Sequence, residues 1–157
     1  MLFRLIFAGI AGTWALAAAG TPAFAQTAGE TAAKWGLLGE WKLDCKAPTS
    51  QRNQAIEFIV REGKLLQERS AGSVKDVTTL TSAAARPDGS LETVEISATT
   101  PPTTRQIVRR KQGDGRFAVW SNRIVGSEEY SIRDGKFANG GGTAPALNRC
   151  RGPAGRS

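Results

Sequence analysis

From Trp35 onward the chain alternates apolar and polar side chains with a period of two, broken at short intervals by Gly, Pro, Asn and Asp. No stretch carries the 3.6-residue period of a long amphipathic helix, and this pattern predicts an antiparallel all-β domain. The first strand is the clearest: Trp35, Leu37, Gly39, Trp41, Leu43 and Cys45 fall on one face, Glu40, Lys42 and Asp44 on the other. One face is therefore expected in the core and the other in water. Further strands are expected around Ile56 to Arg61, Leu65 to Ser70, Val77 to Ser82, Val94 to Ala98, Arg105 to Lys111, Arg116 to Ile124 and Glu128 to Arg133. Glu62-Gly63, Ala71-Gly72-Ser73, Arg86-Pro87-Asp88-Gly89-Ser90, Gln112-Gly113-Asp114-Gly115 and Asp134-Gly135 supply turns, because Gly and Asp tolerate the positive φ that tight hairpins need. About eight short strands joined by hairpin-length turns predict a single up-and-down β-barrel, since closure removes edge strands; a β-sandwich is the alternative.

The residues before Trp35 belong to a different class. Arg4, the apolar run Leu5 to Ala19 and the small-residue ending Thr21-Pro22-Ala23-Phe24-Ala25 predict a cleaved secretory signal over residues 1–25, not a membrane span. No cysteine follows the run to carry a lipid. Residues 26–34 lack bulky apolar side chains and are expected to form a loose leader with at most one helical turn; residues 35–157 form the domain, ending in a Gly-rich tail. Export places the protein in the periplasm or outside the cell, an oxidising setting in which Cys45 and Cys150, the two cysteines of the chain, are expected to form one disulfide.

Composition then narrows the chemistry. The chain has 21 Lys and Arg, 14 Asp and Glu and no His, a formal net charge of +7. Without histidine it lacks the commonest general base and the commonest zinc and copper ligand. With both cysteines in a disulfide, thiolate catalysis and thiolate metal sites are closed as well. A carboxylate enzyme would need facing acids such as Glu57 with Glu95; the adjacent Glu128 and Glu129 point to opposite faces of a strand. No Asp-rich calcium loop and no phosphate-binding loop occurs. The reading is therefore a monomeric non-enzyme with no metal and no cofactor.

Gly39-Glu40-Trp41 on the first strand resembles the G-x-W signature of the lipocalin and wider calycin barrels. The resemblance implies a small lipocalin-like barrel whose floor is closed by Gly39 and Trp41, with Arg149 lying on the indole ring as a cation–π partner.

Basic residues crowd one predicted hairpin: Arg105, Arg109, Arg110, Lys111, Arg116 and Arg123, with Phe117 and Trp120 between them. Such a strip either is a solvated face or attracts anions. Arg105, Ile107 and Arg109 share one parity, and Phe117, Val119, Ser121 and Arg123 share another, so either set facing inward would place fixed cations in an apolar cavity. Arg105, Arg109, Phe117, Trp120, Ser121 and Arg123 are thus the candidate ligand-lining or anion-binding residues, and a small amphipathic or anionic molecule is the expected ligand. The alternative is an envelope protein-interaction module, or an inhibitor of an exported enzyme, that uses loops such as Lys46 to Asn53 or Ala138 to Ala144 on an acidic protein partner. Nucleic acid is not an expected partner of an exported chain.

Overall fold

The structure, a computed structural model, describes residues 26–153. The expected signal segment 1–25 and residues 154–157 lie outside the described residues. One short helix, α1 (Ala28–Trp35), precedes ten strands: β1 (Gly39–Lys42), β2 (Ala55–Arg61), β3 (Lys64–Ala71), β4 (Val74–Ala85), β5 (Leu91–Ser97), β6 (Thr104–Lys111), β7 (Phe117–Ile124), β8 (Tyr130–Arg133), β9 (Lys136–Phe137) and β10 (Ala146–Arg151). Each strand pairs antiparallel with the next from β1 to β9, β10 pairs with β1, and a further β10–β7 pairing closes the ring. The wall is a closed eight-stranded barrel, β1 to β7 plus β10, rather than a sandwich. The edge of β7 is divided: Phe117 and Ala118 pair with β10, whereas Asn122 and Arg123 pair with β8. The β8–β9 hairpin is therefore a flap beside the ring, not part of it.

Helix α1 corrects the expectation of a loose leader. Thr27 caps it, accepting from the Glu30 amide while the Glu30 carboxylate accepts from the Thr27 amide, and Gly36 ends it in a left-handed conformation at φ 86°. This reciprocal cap satisfies amides that would otherwise lack partners. The backbone and hydroxyl of Thr27 hold the Glu30 carboxyl below its ordinary range. Small side chains let the helix sit tightly in one end of the barrel: Ala32 is fully buried, and the Trp35 indole donates to Gly89 O at 2.9 Å.

The barrel has two halves. At the floor, Ala32, Trp35 and Leu37 pack with Trp41, Phe58, Leu65, Leu80, Leu91 and Phe117 in one apolar cluster. Trp41 meets Phe117 edge-on at 4.6 Å between ring centroids and donates to Leu37 O at 2.7 Å. Its neighbour Gly39 has φ 119°, and a Cβ there would stand 2.3 Å from Arg151 O, so the position admits only glycine. Trp41→Phe is expected to cost about 1–3 kcal/mol, the loss of one buried hydrogen bond with some ring area, read as a shift in the urea unfolding midpoint; an unchanged midpoint would contradict this packing.

Lys42, expected in water, is instead buried beneath the loop that follows β1, its ammonium donating to Ala47 O at 2.7 Å. Asn53 organises that loop, its amide nitrogen reaching Asp44 O, Ala47 O and Pro48 O. Cys45 and Cys150 form the disulfide, tying the loop to β10.

Candidate functional site

Above the apolar floor the inward positions become polar. Leu91, Thr93 and Glu95 alternate inward on β5, and Ile107 and Arg109 face them from β6. Arg109 and Glu95 are 2% and 3% exposed, and their side chains meet at 2.6 Å. Thr93 joins them, its hydroxyl donating to Glu95 at 2.8 Å and accepting from Arg109 at 2.7 Å. The guanidinium also lies 5.1 Å from the Phe58 ring centroid, on the roof of the apolar cluster. Its second-row contact is Gln67, with Nη2 to Oε1 at 3.4 Å. This layer separates the filled floor from an open mouth.

Two adjoining cavities occupy the mouth half, of about 680 Å³ and about 560 Å³, and share Arg69 and Asn122 in their linings. The larger is bounded by the polar side chains Gln67, Thr78, Glu95, Arg105 and Asn122 and by the loop between β5 and β6. The smaller is more apolar: Ile56, Val119 and Leu147 from the wall meet Ile132 and Phe137 of the flap. Arg69 is held by Asp76 across the β3–β4 ladder. Arg105 donates to Asn122 Oδ1 at 3.1 Å, and among the described residues no carboxylate lies within ion-pair distance of it. Three inward arginines, 69, 105 and 109, face two carboxylates, Asp76 and Glu95, and Lys75 and Arg52 also line the cavities without an ion pair among the described residues, so positive charge is in excess there.

The six candidate lining residues divide between two faces. Arg105, Arg109 and Phe117 point into the barrel, but Phe117 belongs to the floor and Arg109 to the ion-paired layer. The β6–β7 register slips by one residue, from Arg109↔Val119 to Val108↔Ser121, leaving Trp120 as a bulge. That bulge reverses the parity of β7, so Phe117 and Val119 face in while Ser121 and Arg123 face out, a correction to the single-sided set expected from alternation. Trp120, Ser121 and Arg123 consequently line a groove on the outer wall. The basic strip also disperses: Lys111 lies over the Trp35 ring, Arg110 over Trp120, and Arg116 pairs with Asp114 in the β6–β7 turn. That pairing holds the Asp114 carboxyl below its ordinary range. Asn122, Arg69 and Gln67 line the cavity and escaped the sequence reading, because an inward polar residue has the same period as an outward one.

At the floor, beside Gly39, the Arg149 guanidinium lies 4.8 Å from the Trp41 ring centroid and is bonded to Gly36 O. Glu57 does not face Glu95: it sits on the outer wall beside Arg151, while Glu95 points inward.

The fold and cavity define a closed eight-stranded antiparallel barrel, compatible with a lipocalin-like barrel, filled at one end and hollow at the other. The disulfide fits an exported or otherwise non-cytoplasmic protein, and no helix among the described residues is long and apolar enough to cross a membrane. In comparisons with known proteins, no family model, no curated protein and no solved structure matches the chain.

Proposed function

We propose that the chain is an exported lipocalin-like binding protein of the periplasm or extracellular space, which holds a small amphipathic anion in the mouth half of its barrel without transforming it. The observation that carries this reading is Arg105, a guanidinium on a cavity wall with an amide partner and no carboxylate among the described residues. A ligand carboxylate or phosphate placed there would neutralise it and take a bidentate, charge-assisted contact. The adjoining cavity under the flap, with Ile56, Val119, Ile132, Phe137 and Leu147, suits the apolar part of the same molecule.

Dodecanoate titrated into the purified protein and followed by calorimetry is expected to bind saturably. Arg105→Ala is expected to weaken it about tenfold or more, since hydrogen bonds to charged groups contribute about 1.5–3 kcal/mol. Equal binding by wild type and variant would remove Arg105 from the site. A failure of both dodecanoate and octyl phosphate to bind would remove the ligand reading itself.

A second reading has its own observation. Leu43, Val74, Val125 and Phe137 are exposed large apolar side chains at loops and strand ends on the mouth side. They suit an interaction module that presents this end to an acidic exported protein, and that reading gains if the cavity accepts no ligand.

A further inference from the structure

The outer wall carries a second site. A groove of about 480 Å³ lies between the outward face of β5, β6 and β7 and the β8–β9 flap, a volume within the range of small-molecule sites, about 300–1,000 Å³. It is built by two features that a plain barrel lacks. The bulge at Trp120 turns Ser121 and Arg123 outward. The flap then folds its Asp134-Gly135 turn back on the wall, with the Gly135 amide donating to Trp120 O at 2.8 Å. Gly135 has φ 72°, and a Cβ on it would lie 3.2 Å from the Trp120 ring, so the turn lies directly against the indole.

Along the wall side the polar groups form a hydrogen-bonded row across β7, β6 and β5, extended by an ion pair to Arg86 in the turn after β4. Arg123 Nε donates to Gln106 Oε1 at 2.5 Å, Gln106 Nε2 donates to Glu92 Oε1 at 2.6 Å, and Arg86 stands 3.6 Å from Glu92 Oε2. Arg133 faces the row from the flap, its guanidinium 4.0 Å from the Tyr130 ring centroid. Among the described residues neither Arg123 nor Arg133 has a carboxylate within ion-pair distance. Both are thus fixed in direction, one by Gln106 and one by Tyr130, while their outer N–H groups stay open.

We infer that this groove binds a carboxylated saccharide segment, an acidic glycan of the uronic-acid kind. Two open guanidiniums on opposite walls match carboxylates. Glu92, Gln106 and Ser121 between them offer acceptors that a bare anion could not use and sugar hydroxyls can. Stacking on Trp120 is closed off, because Arg110 lies 3.9 Å over it and Gly135 packs on the same side chain, and Arg133 lies 4.0 Å from the Tyr130 ring centroid, which argues against single-stranded nucleic acid. None of the exposed large apolar residues lines the groove, which argues against a lipid surface.

The test is calorimetric titration of the protein with trigalacturonate at low salt, beside neutral maltotriose and inorganic phosphate. Saturable binding of trigalacturonate, without binding of maltotriose, is expected. The R123A/R133A double variant should weaken it about tenfold or more. A double variant that removes two charges elsewhere, R61A/K64A near the floor, should leave it within about twofold of wild type. The site is overturned if trigalacturonate shows no saturable binding, if both double variants weaken it equally, or if phosphate binds as tightly as the trisaccharide. Unchanged thermal unfolding of R123A/R133A secures that a loss of binding is not a loss of fold.

Discussion

Glu95→Ala is expected to destabilise the protein by about 3–5 kcal/mol, the cost of leaving a buried charge without its partner. Arg109 would remain 2% exposed with only the Thr93 hydroxyl and Gln67 to face, and neither carries charge. The double variant Glu95→Leu/Arg109→Met should recover most or all of that loss, because replacing both members of a buried pair by apolar groups of similar volume is near neutral or stabilising. Urea unfolding of the two variants side by side decides the matter. A single variant within about 1 kcal/mol of wild type would mean that water reaches Arg109, and the layer between floor and mouth would not keep the pair desolvated. The pair therefore matters for more than stability: it caps the apolar cluster beneath the mouth, and with Glu95 engaged by Arg109, Arg105 is left with Asn122 as its partner.

Replacing Cys45 and Cys150 together by Ser should cost about 4–5 kcal/mol in the chain-entropy account, since the bond closes a loop of 105 residues. It joins the loop after β1 to β10, the strand that completes the ring. Thermal unfolding is expected to fall by on the order of 10–20 °C, with an equal fall when the wild type is unfolded in reductant. A fall of only a few degrees would show that pairing of β10 with β1 and β7 holds the ring without help, and the same experiment followed by circular dichroism would show whether the ring stays closed.

Much of the architecture was legible because hairpin chemistry is local. Arg86 to Ser90 and Gln112 to Gly115 turn where Pro, Asp and Gly predict, and the two cysteines pair as their number predicts. Two features needed the third dimension. Trp35 and Leu37 share parity with Trp41, which suggested one long strand, yet they enter the same core from a helix and a turn. The signal for that helix was present in Thr27-Ala28-Gly29-Glu30, whose Thr27 and Glu30 are spaced for a capping box, but its small side chains offered no apolar stripe to read. The phase of β7 was not readable at all, because a bulge adds one residue without changing composition. Trp120 alone decides that Arg123 serves the outer wall and Asn122 the cavity. Arg105 and Arg109 were legible as one parity of β6, whereas Arg69, on β3, joins them only across the closed barrel.

Ring closure has one more effect, on how the protein behaves toward copies of itself. An open sheet of these strands would end in unpaired amides and carbonyls, ready to accept a strand from a neighbour. Here β10 covers β7 at Phe117 and Ala118 and β8 covers it at Asn122 and Arg123, and the strand order ends at β9, two residues long and itself bridged from Lys136 to Thr143. Strand-by-strand growth into fibres has almost no place to begin, and the folded chain should tolerate crowding in its compartment without templating its own aggregation.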